Sequence, residues 1–339
     1  MMIKTYKYRI KDKNRLKLLD QMSREVKFTW NVINAAARKK WKESRKYFHK
    51  YDPYYTDIVK GASKEMLVHS HTLRAVLDQF HKDIRQQKKQ LRFKGRKTLG
   101  WIPFKEGAIK IHEDRFTYAK MNFRIWKSRP FPPGALLKTG CFTQDCAGRW
   151  YVNFVIECPD NEEKCCGSGK IGIDLGLKTT ATCSDGKELQ LKELEEVDEK
   201  IKKQQRARNF KRVKKLHIHK ANKRKDKICK FAKDLVKTNG LVVVGNVSGF
   251  TKGNVAKSRY NNAWSILKKW IEFKCLEYGA AYQEVSEYRS TQRCNECGSI
   301  EGPKGLEGLS VRQWECSCGA GLNRDINAAI NILNAALGI

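Results

Sequence analysis

The sequence predicts a multidomain protein that joins an α+β half to an α/β half. Three observations carry this expectation. Apolar residues recur every two positions through much of residues 91–157, they recur every three or four before that block, and strands alternate with helices after residue 170. A length of 339 residues suits two or three domains. The composition, 40% hydrophobic and 31% charged, excludes collagen-like, mucin-like and wholly disordered chains. The 69 Lys and Arg exceed the 36 Asp and Glu by 33. Such an excess points to a polyanionic partner, because each cation placed on a phosphate releases condensed counterions. Nucleic acid is favoured over an anionic membrane surface. No apolar run reaches the roughly 18 residues of a membrane span, and MMIKTYKYRIK lacks the apolar core of a signal peptide. The chain is therefore expected to be soluble and cytoplasmic, with its twelve cysteines reduced and those of the tail binding metal.

YKYRIK begins as a short strand. From Asn14 the period changes, placing Leu16, Leu19, Met22, Val26, Trp30 and Ile33 on one packing face of a long amphipathic helix. After a loop containing DPYY, SKEMLVHSHTLRAVLDQFHKDIRQQKKQ reads as one or two further helices. His69, His71 and His81 have no accompanying ligand set and are read as ordinary histidines. Between Leu91 and Glu157, Ile109 and Ile111 lead through a Glu113-Asp114 turn to Phe116 and Tyr118. Met121, Phe123 and Ile125 alternate next, and RWYVNFVIE closes the block. The expectation is an antiparallel sheet or small barrel formed by 1–12 and 89–160, interrupted by a helical insertion at 13–88. CPDNEEKCCGSG reads as a linker, with the junction at 161–169. Its Cys158, Cys165 and Cys166 lack a metal partner set.

In the second half, KIGIDLGLKTTATCSDGKELQL reads as strand, tight turn, strand, turn and short strand. A long charged helical region follows, then GLVVVGNV as a buried strand, an amphipathic helix over 260–278 and the strand AYQEVSE. A cysteine insert at about 290–322 precedes a final helix from Arg324, whose apolar face is expected to be Ile326, Ala329, Ile330 and Leu333. This order implies parallel strands.

Asp174 ends an apolar strand, where open α/β sheets place their sites. Asp325 falls in the first turn of the last helix, where a carboxylate is favoured by the helix dipole alone. Together they supply two of the carboxylates that Mg²⁺-assisted phosphodiester cleavage needs. Cys294 and Cys297 form C-x2-C, and after 18 intervening residues Cys316 and Cys318 form C-x-C. Four thiolates so spaced suit a tetrahedral structural zinc with no open position. Cys183, Cys229 and Cys275 read as ordinary thiols. Residues 200–225 hold 13 Lys or Arg and no acid, a density that asks for neutralisation by a phosphate backbone. Arg206, Arg208, Lys211, Arg212, Lys214, Lys215, Lys223 and Arg224 are the expected contacts, carrying little sequence information. RQQKKQLRFKGRK, with Phe93 and the nearby Trp101, is a second basic cluster able to stack on bases.

IGIDLGLKTTATCSDG, LVVVGNVS, STQRCNECG, CSCG and NRDINAAINIL, in that order, resemble the TnpB family of insertion-sequence-encoded RNA-guided nucleases. The resemblance is specific over about 170–339 and architectural over the first half. It implies a wedge β-barrel with an inserted helical recognition domain, then a RuvC-like domain of RNase H fold carrying a zinc ribbon. It further implies a guide RNA, a DNA target chosen by base pairing, one monomer per guide, and a place in the bacterial nucleoid. In many members the strand matching LVVVGNV carries a catalytic glutamate where this chain has Gly245, and the Asn246 amide is a poor substitute. Glu287, 42 residues further on, is the expected replacement, reaching the metal from the neighbouring strand about 4.8 Å away. Relocated glutamates of this kind occur in the family. Glu284 is the rival. A nuclease-dead RNA-guided repressor, a compact type V CRISPR effector and a zinc-dependent nucleic-acid-binding module without a guide remain alternatives.

Overall fold

The computed structural model describes residues 2–47, 49, 52, 57, 66–87, 90–159, 164–191, 193–246, 263–304, 308 and 310–339. Residues 53–55 of the DPYY loop, part of the expected linker and the start of the helix expected at 260 lie outside the described residues. The chain divides into two units, Met1–Asp160 and Asn161–Ile339.

In the first unit, seven strands form one sheet: β1 (Met2–Ile10), β2 (Trp101–Lys105), β3 (Ile109–Ile111), β4 (Arg115–Tyr118), β5 (Met121–Trp126), β6 (Leu136–Gln144) and β7 (Trp150–Cys158). Their order is β2-β6-β7-β1-β5-β4-β3, and every ladder is antiparallel. Phe104 on β2 and Tyr118 on β4 come from opposite ends of that order, yet their ring centroids stand 6.3 Å apart. The sheet therefore curls until it nearly closes. Period-two alternation sends Tyr8, Phe104, Phe116, Tyr118, Phe142 and Phe154 inward, all buried. Burying each ring stabilises the fold by about 1.5–3 kcal/mol. Helices α1 (Leu16–Ser44) and α2 (Ser70–Gln87) lie between β1 and β2 in the chain. Leu19, Met22, Val26, Trp30 and Ile33 are buried along α1 and Leu16 is half-buried, while Trp30 meets Phe80 of α2 edge-on at 5.3 Å.

Four expectations change here. The described residues from 90 to 100 form no strand, so the period-two block begins at Trp101. β6 escaped the sequence reading because Lys138, Thr139 and Gly140 break its alternation. Cys158, assigned to the linker, ends β7 opposite Met2 and is buried. Trp101 is also less available than expected, half-buried with the Lys94 ammonium 4.2 Å above its ring, whereas Phe93 is exposed beneath the Arg38 guanidinium.

The second unit holds a five-stranded sheet, β10-β9-β8-β11-β12. It is built from β8 (Gly169–Asp174), β9 (Ala181–Cys183), β10 (Glu188–Leu189), β11 (Asn239–Asn246) and β12 (Ala281–Ser286). β11 runs parallel to both β8 and β12, and β9 and β10 are antiparallel additions. Ile171, Ile173, Val242 and Val244 face a core shared with Ile228 and Leu235 of α4 (Phe210–Thr238) and Leu267 and Ile271 of α5 (Trp264–Tyr278). Gly172 faces the other way. A Cβ there would collide with the Ala329 carbonyl and come within 2.9 Å of Leu333 Cβ, so the missing side chain lets α6 (Arg324–Leu337) lie directly on β8.

The charged region forms two helices. α3 (Glu193–Arg206) and α4 are joined by a turn in which Arg208 takes φ 53° and Asn209 caps α4 by accepting the Arg212 N–H at 3.2 Å. Val197, Ile201, Val213 and Leu216 form the seam of this hairpin. Among the described residues no helix is long and apolar enough to cross a membrane.

Candidate active site and thiol cluster

Asp174 closes β8 and is only 8% exposed. Burial pushes its carboxyl up to about 8, the nearby Glu287 and Asp325 push in the same direction, and Arg324 and Arg312 pull it back. Ile173 pairs with Val244, so Asp174 and Gly245 stand one step further along adjacent strands. Gly245 in turn pairs with Val285 of β12, and Glu287, two residues on, projects to the same side as Val285. A Cβ placed on Gly245 would fall 2.5 Å from Glu287 Cγ and 2.8 Å from Cδ. The carboxyl of Glu287 thus fills the volume that a side chain at 245 would occupy.

Burial pushes the Glu287 carboxyl up to about 7, against the Lys268 ammonium and a hydrogen bond from the Leu175 N–H. Its Oε1 is buried with no hydrogen-bond partner. Such an oxygen costs about 1–3 kcal/mol unless something satisfies it. Glu284 is one residue out of phase. Its carboxylate accepts Lys268 Nζ at 2.9 Å and Tyr282 Oη at 2.7 Å, and these bonds outweigh burial and hold it below the usual glutamate range. Asn246 likewise accepts Lys268 Nζ, at 3.1 Å.

Asp325 is placed by β14 (Gly321–Asn323), which pairs with β13 (Gln313–Glu315) and runs straight into α6. Asn323 caps the helix, accepting the N–H groups of Asp325 at 3.0 Å and Ile326 at 3.2 Å. Arg312 Nη1 donates to both Asp325 oxygens, at 2.9 and 2.8 Å. The sequence reading missed Arg312, whose contact spans 13 residues and no helical period. The buried face of α6 also differs from expectation: it is Asn327, Ala328, Ala329, Asn331 and Ile332, with Ile326, Ile330 and Leu333 half-buried.

The three carboxyls offer only oxygen donors, two of them pushed up by burial and one oxygen orphaned. The donor chemistry suits a hard divalent cation, whose charge reverses the penalty for ionising, although the three carboxyls do not form a group whose oxygens all lie within 4.8 Å of one another.

The four tail cysteines converge. Cys294 Sγ lies 3.8 Å from Cys318 Sγ, and Cys297 Sγ lies 3.6 Å from Cys316 Sγ. Thiolates about 2.3 Å from a tetrahedral metal stand about 3.8 Å apart, so the cluster fits one ion. Among the described residues this is the one group of three or more Cys, His, Asp or Glu whose ligand atoms all lie within 4.8 Å of one another. The one-residue knuckle is braced by Glu301, which accepts the Ser317 N–H at 3.1 Å and hydroxyl at 2.9 Å.

Of the expected nucleic-acid contacts, Arg206, Arg208, Lys211, Arg212, Lys214 and Lys215 are exposed on the hairpin and Lys223 is half-buried. Arg224 departs from expectation. It is 8% exposed, because its position on α4 turns it into the protein, and it is withdrawn from the exposed set.

Residues 264–332 match the family model described as the Cas12f1-like TNB domain. A Streptomyces pristinaespiralis protein named "Putative RNA-guided DNA endonuclease" is 27% identical over 327 residues, spanning 90% of this chain and 77% of that protein. The chain resembles TnpB-like proteins. The mimivirus "TnpB-like protein L79", from Acanthamoeba polyphaga mimivirus, is 28% identical over 242 residues, which are 59% of this chain and only 44% of that longer protein. In fold, the chain matches the protein in a structure titled as a Cas12f1-sgRNA-target DNA complex, with TM-score 0.63, 14% identity, and coverage of 96% of this chain and 84% of that one.

Proposed function

We propose that this chain is an RNA-guided DNA endonuclease of the TnpB type, associated with a transposable element, whose catalytic metal is held by Asp174, Glu287 and Asp325. One observation carries the reading: the Glu287 carboxyl lies in the volume opened by Gly245, beside the strand that ends in Asp174. Magnesium, when bound there, supplies an activated water and stabilises the leaving oxygen. The chain's own groups do the positioning. The Leu175 N–H orients Glu287, Lys268 holds Glu284 and Asn246, and Arg312 holds Asp325. The thiol cluster takes a structural zinc, because four protein ligands leave no open position for chemistry. The TnpB-type reading makes β1–β7 a wedge barrel, α1 and α2 a recognition insertion, and residues 170–339 a RuvC-like domain with a zinc ribbon. The exposed cations of the α3–α4 hairpin lie along a guide RNA or its heteroduplex, and one monomer works per guide in the bacterial nucleoid.

The test begins by sequencing the RNA that copurifies with the protein. DNA complementary to its variable end, offered with Mg²⁺, is cut by the wild type and left intact by Asp174→Ala. Equal cutting by the two, or the absence of any guide-length RNA, overturns the proposal.

A further inference from the structure

We infer that Asn327 and Asn331 are positioning residues that couple the thiol cluster to the carboxylate site. The inference rests on the reading of Asp174, Glu287 and Asp325 as a metal-holding set.

The two asparagines stand four residues apart on α6, on one face of the helix that carries Asp325 in its first turn. They are 1% and 9% exposed. Burying an amide is costly unless its bonds are made, and an aliphatic side chain would fill the space without that demand. Here the bonds are made, and all run to one loop. Asn327 Nδ2 donates to the Arg293 carbonyl at 2.7 Å and the Ser290 carbonyl at 3.4 Å, while its Oδ1 accepts the Asn295 N–H at 2.9 Å. Asn331 Nδ2 donates to the Ser290 carbonyl at 2.8 Å and the Arg293 carbonyl at 2.7 Å.

Those backbone groups bracket Cys294, the first thiol of the cluster. At the loop's other end, the Ser290 N–H and hydroxyl close back on the Glu287 carbonyl, at 3.1 and 3.0 Å. The segment from Glu287 to Cys294 is therefore held at its start by a turn and near its end by a cluster thiol. In between it is clamped to the helix of Asp325. A metal in the thiol cluster fixes Cys294, the asparagines transmit that placement to Ser290, and Ser290 sets the backbone of Glu287. The separation of the Glu287 and Asp325 carboxyls then depends on the amides, although neither amide touches either carboxyl. Groups bonded directly to a metal's ligands are commonly worth about 10–100-fold in its affinity, and these amides act one link further out, through the Ser290 backbone.

The experiment measures Mn²⁺ binding, as a stand-in for Mg²⁺, by calorimetry on the full chain with its copurified RNA. Wild type, Asn331→Leu, Asn327→Asp and Asp174→Ala are compared, together with wild type stripped of zinc; zinc content and thermal unfolding are recorded for each. Asn331→Leu and Asn327→Asp are expected to keep zinc and a cooperative unfolding transition while Mn²⁺ affinity falls about tenfold or more. Stripping zinc from wild type is expected to weaken Mn²⁺ similarly, and stripping it from Asn331→Leu to add little further. Unchanged Mn²⁺ affinity in folded variants overturns the inference, as does a loss seen only in variants that have lost zinc or their unfolding transition. If every variant loses that transition, the stripped wild type decides, and unchanged affinity there overturns it. Should wild type and Asp174→Ala bind Mn²⁺ equally, the carboxylate reading itself has failed, a result distinct from failure of the coupling.

Discussion

Gly245 and Glu287 define one another. With a Cβ at 245 overlapping only the flexible Glu287 side chain, Gly245→Ala is expected to displace that carboxyl, leaving the unfolding midpoint little changed while slowing DNA cleavage. The paired exchange of Gly245→Glu with Glu287→Gly is expected to restore cutting that Glu287→Gly alone removes; thermal unfolding and single-turnover assays measure both. The glycine was visible in the sequence, and so was a glutamate one residue past the end of its partner strand. That they compete for one volume was not, because this depends on a parallel register that no local period encodes. Protonation follows from the same burial. In the metal-free fold, Asp174 and Glu287 keep their protons up to about 8 and about 7, whereas the unfolded chain releases them near 3.8 and 4.5. The folded state holds more protons across that window, so the stability contributed is complete below about pH 4 and is lost as pH rises towards 8. In chelator, Asp174→Asn, which mimics the protonated acid, is expected to gain stability relative to wild type from pH 5 to pH 8. A pH-independent difference in unfolding midpoints would contradict this.

At the scale of the element, the α3–α4 hairpin separates two kinds of cation. Lys211, Arg212, Lys214 and Lys215 are exposed, whereas Lys220 is buried and holds Asp198 at 2.6 and 2.7 Å across the hairpin. Neutralising the four exposed cations is expected to weaken RNA binding and flatten its salt dependence, by about 0.7 in log–log slope for each phosphate left without its cation. Asp198→Asn is expected to leave that slope alone and lower the unfolding midpoint. Filter-binding titrations over a range of salt, with parallel melts, separate the two outcomes. The sequence showed the acid-free run but not its inward residues: with so many cations, helical period alone does not say which one turns inward, hence the misplacement of Arg224. The last helix taught the converse. Its apolar pattern suggested Ile326, Ala329, Ile330 and Leu333 as the packed face; Ala329 is buried as expected, yet Asn327 and Asn331 are more deeply buried than the other three because the loop after β12 supplies partners for their amides.

Across the whole molecule, the two units rest on different supports. The first is held by aromatic packing inside a curled antiparallel sheet, and the second joins a mixed sheet with a parallel centre to a small hairpin with four thiols and few buried apolar residues. Chelating the cluster metal is therefore expected to raise amide hydrogen exchange in residues 290–323 and to leave β1, β5 and β7 protected. Equal loss of protection in both units would count against a structural role confined to the cluster. Element order was legible in the sequence wherever one period ran unbroken, and the cysteine spacing gave the cluster at once. What escaped were long-range closures: Glu301 on the knuckle, Arg312 on Asp325, and the curl that brings β2 near β4. The central claim is that Glu287 supplies the carboxylate missing at Gly245, and single-turnover cleavage of guide-matched DNA by Glu287→Gln at saturating Mg²⁺ tests it most directly. Removing a group one shell away from a metal already costs about 10–100-fold, so loss of a ligand is expected to slow cutting by more than about a hundredfold with RNA binding retained. Cutting at the wild-type rate would contradict the account.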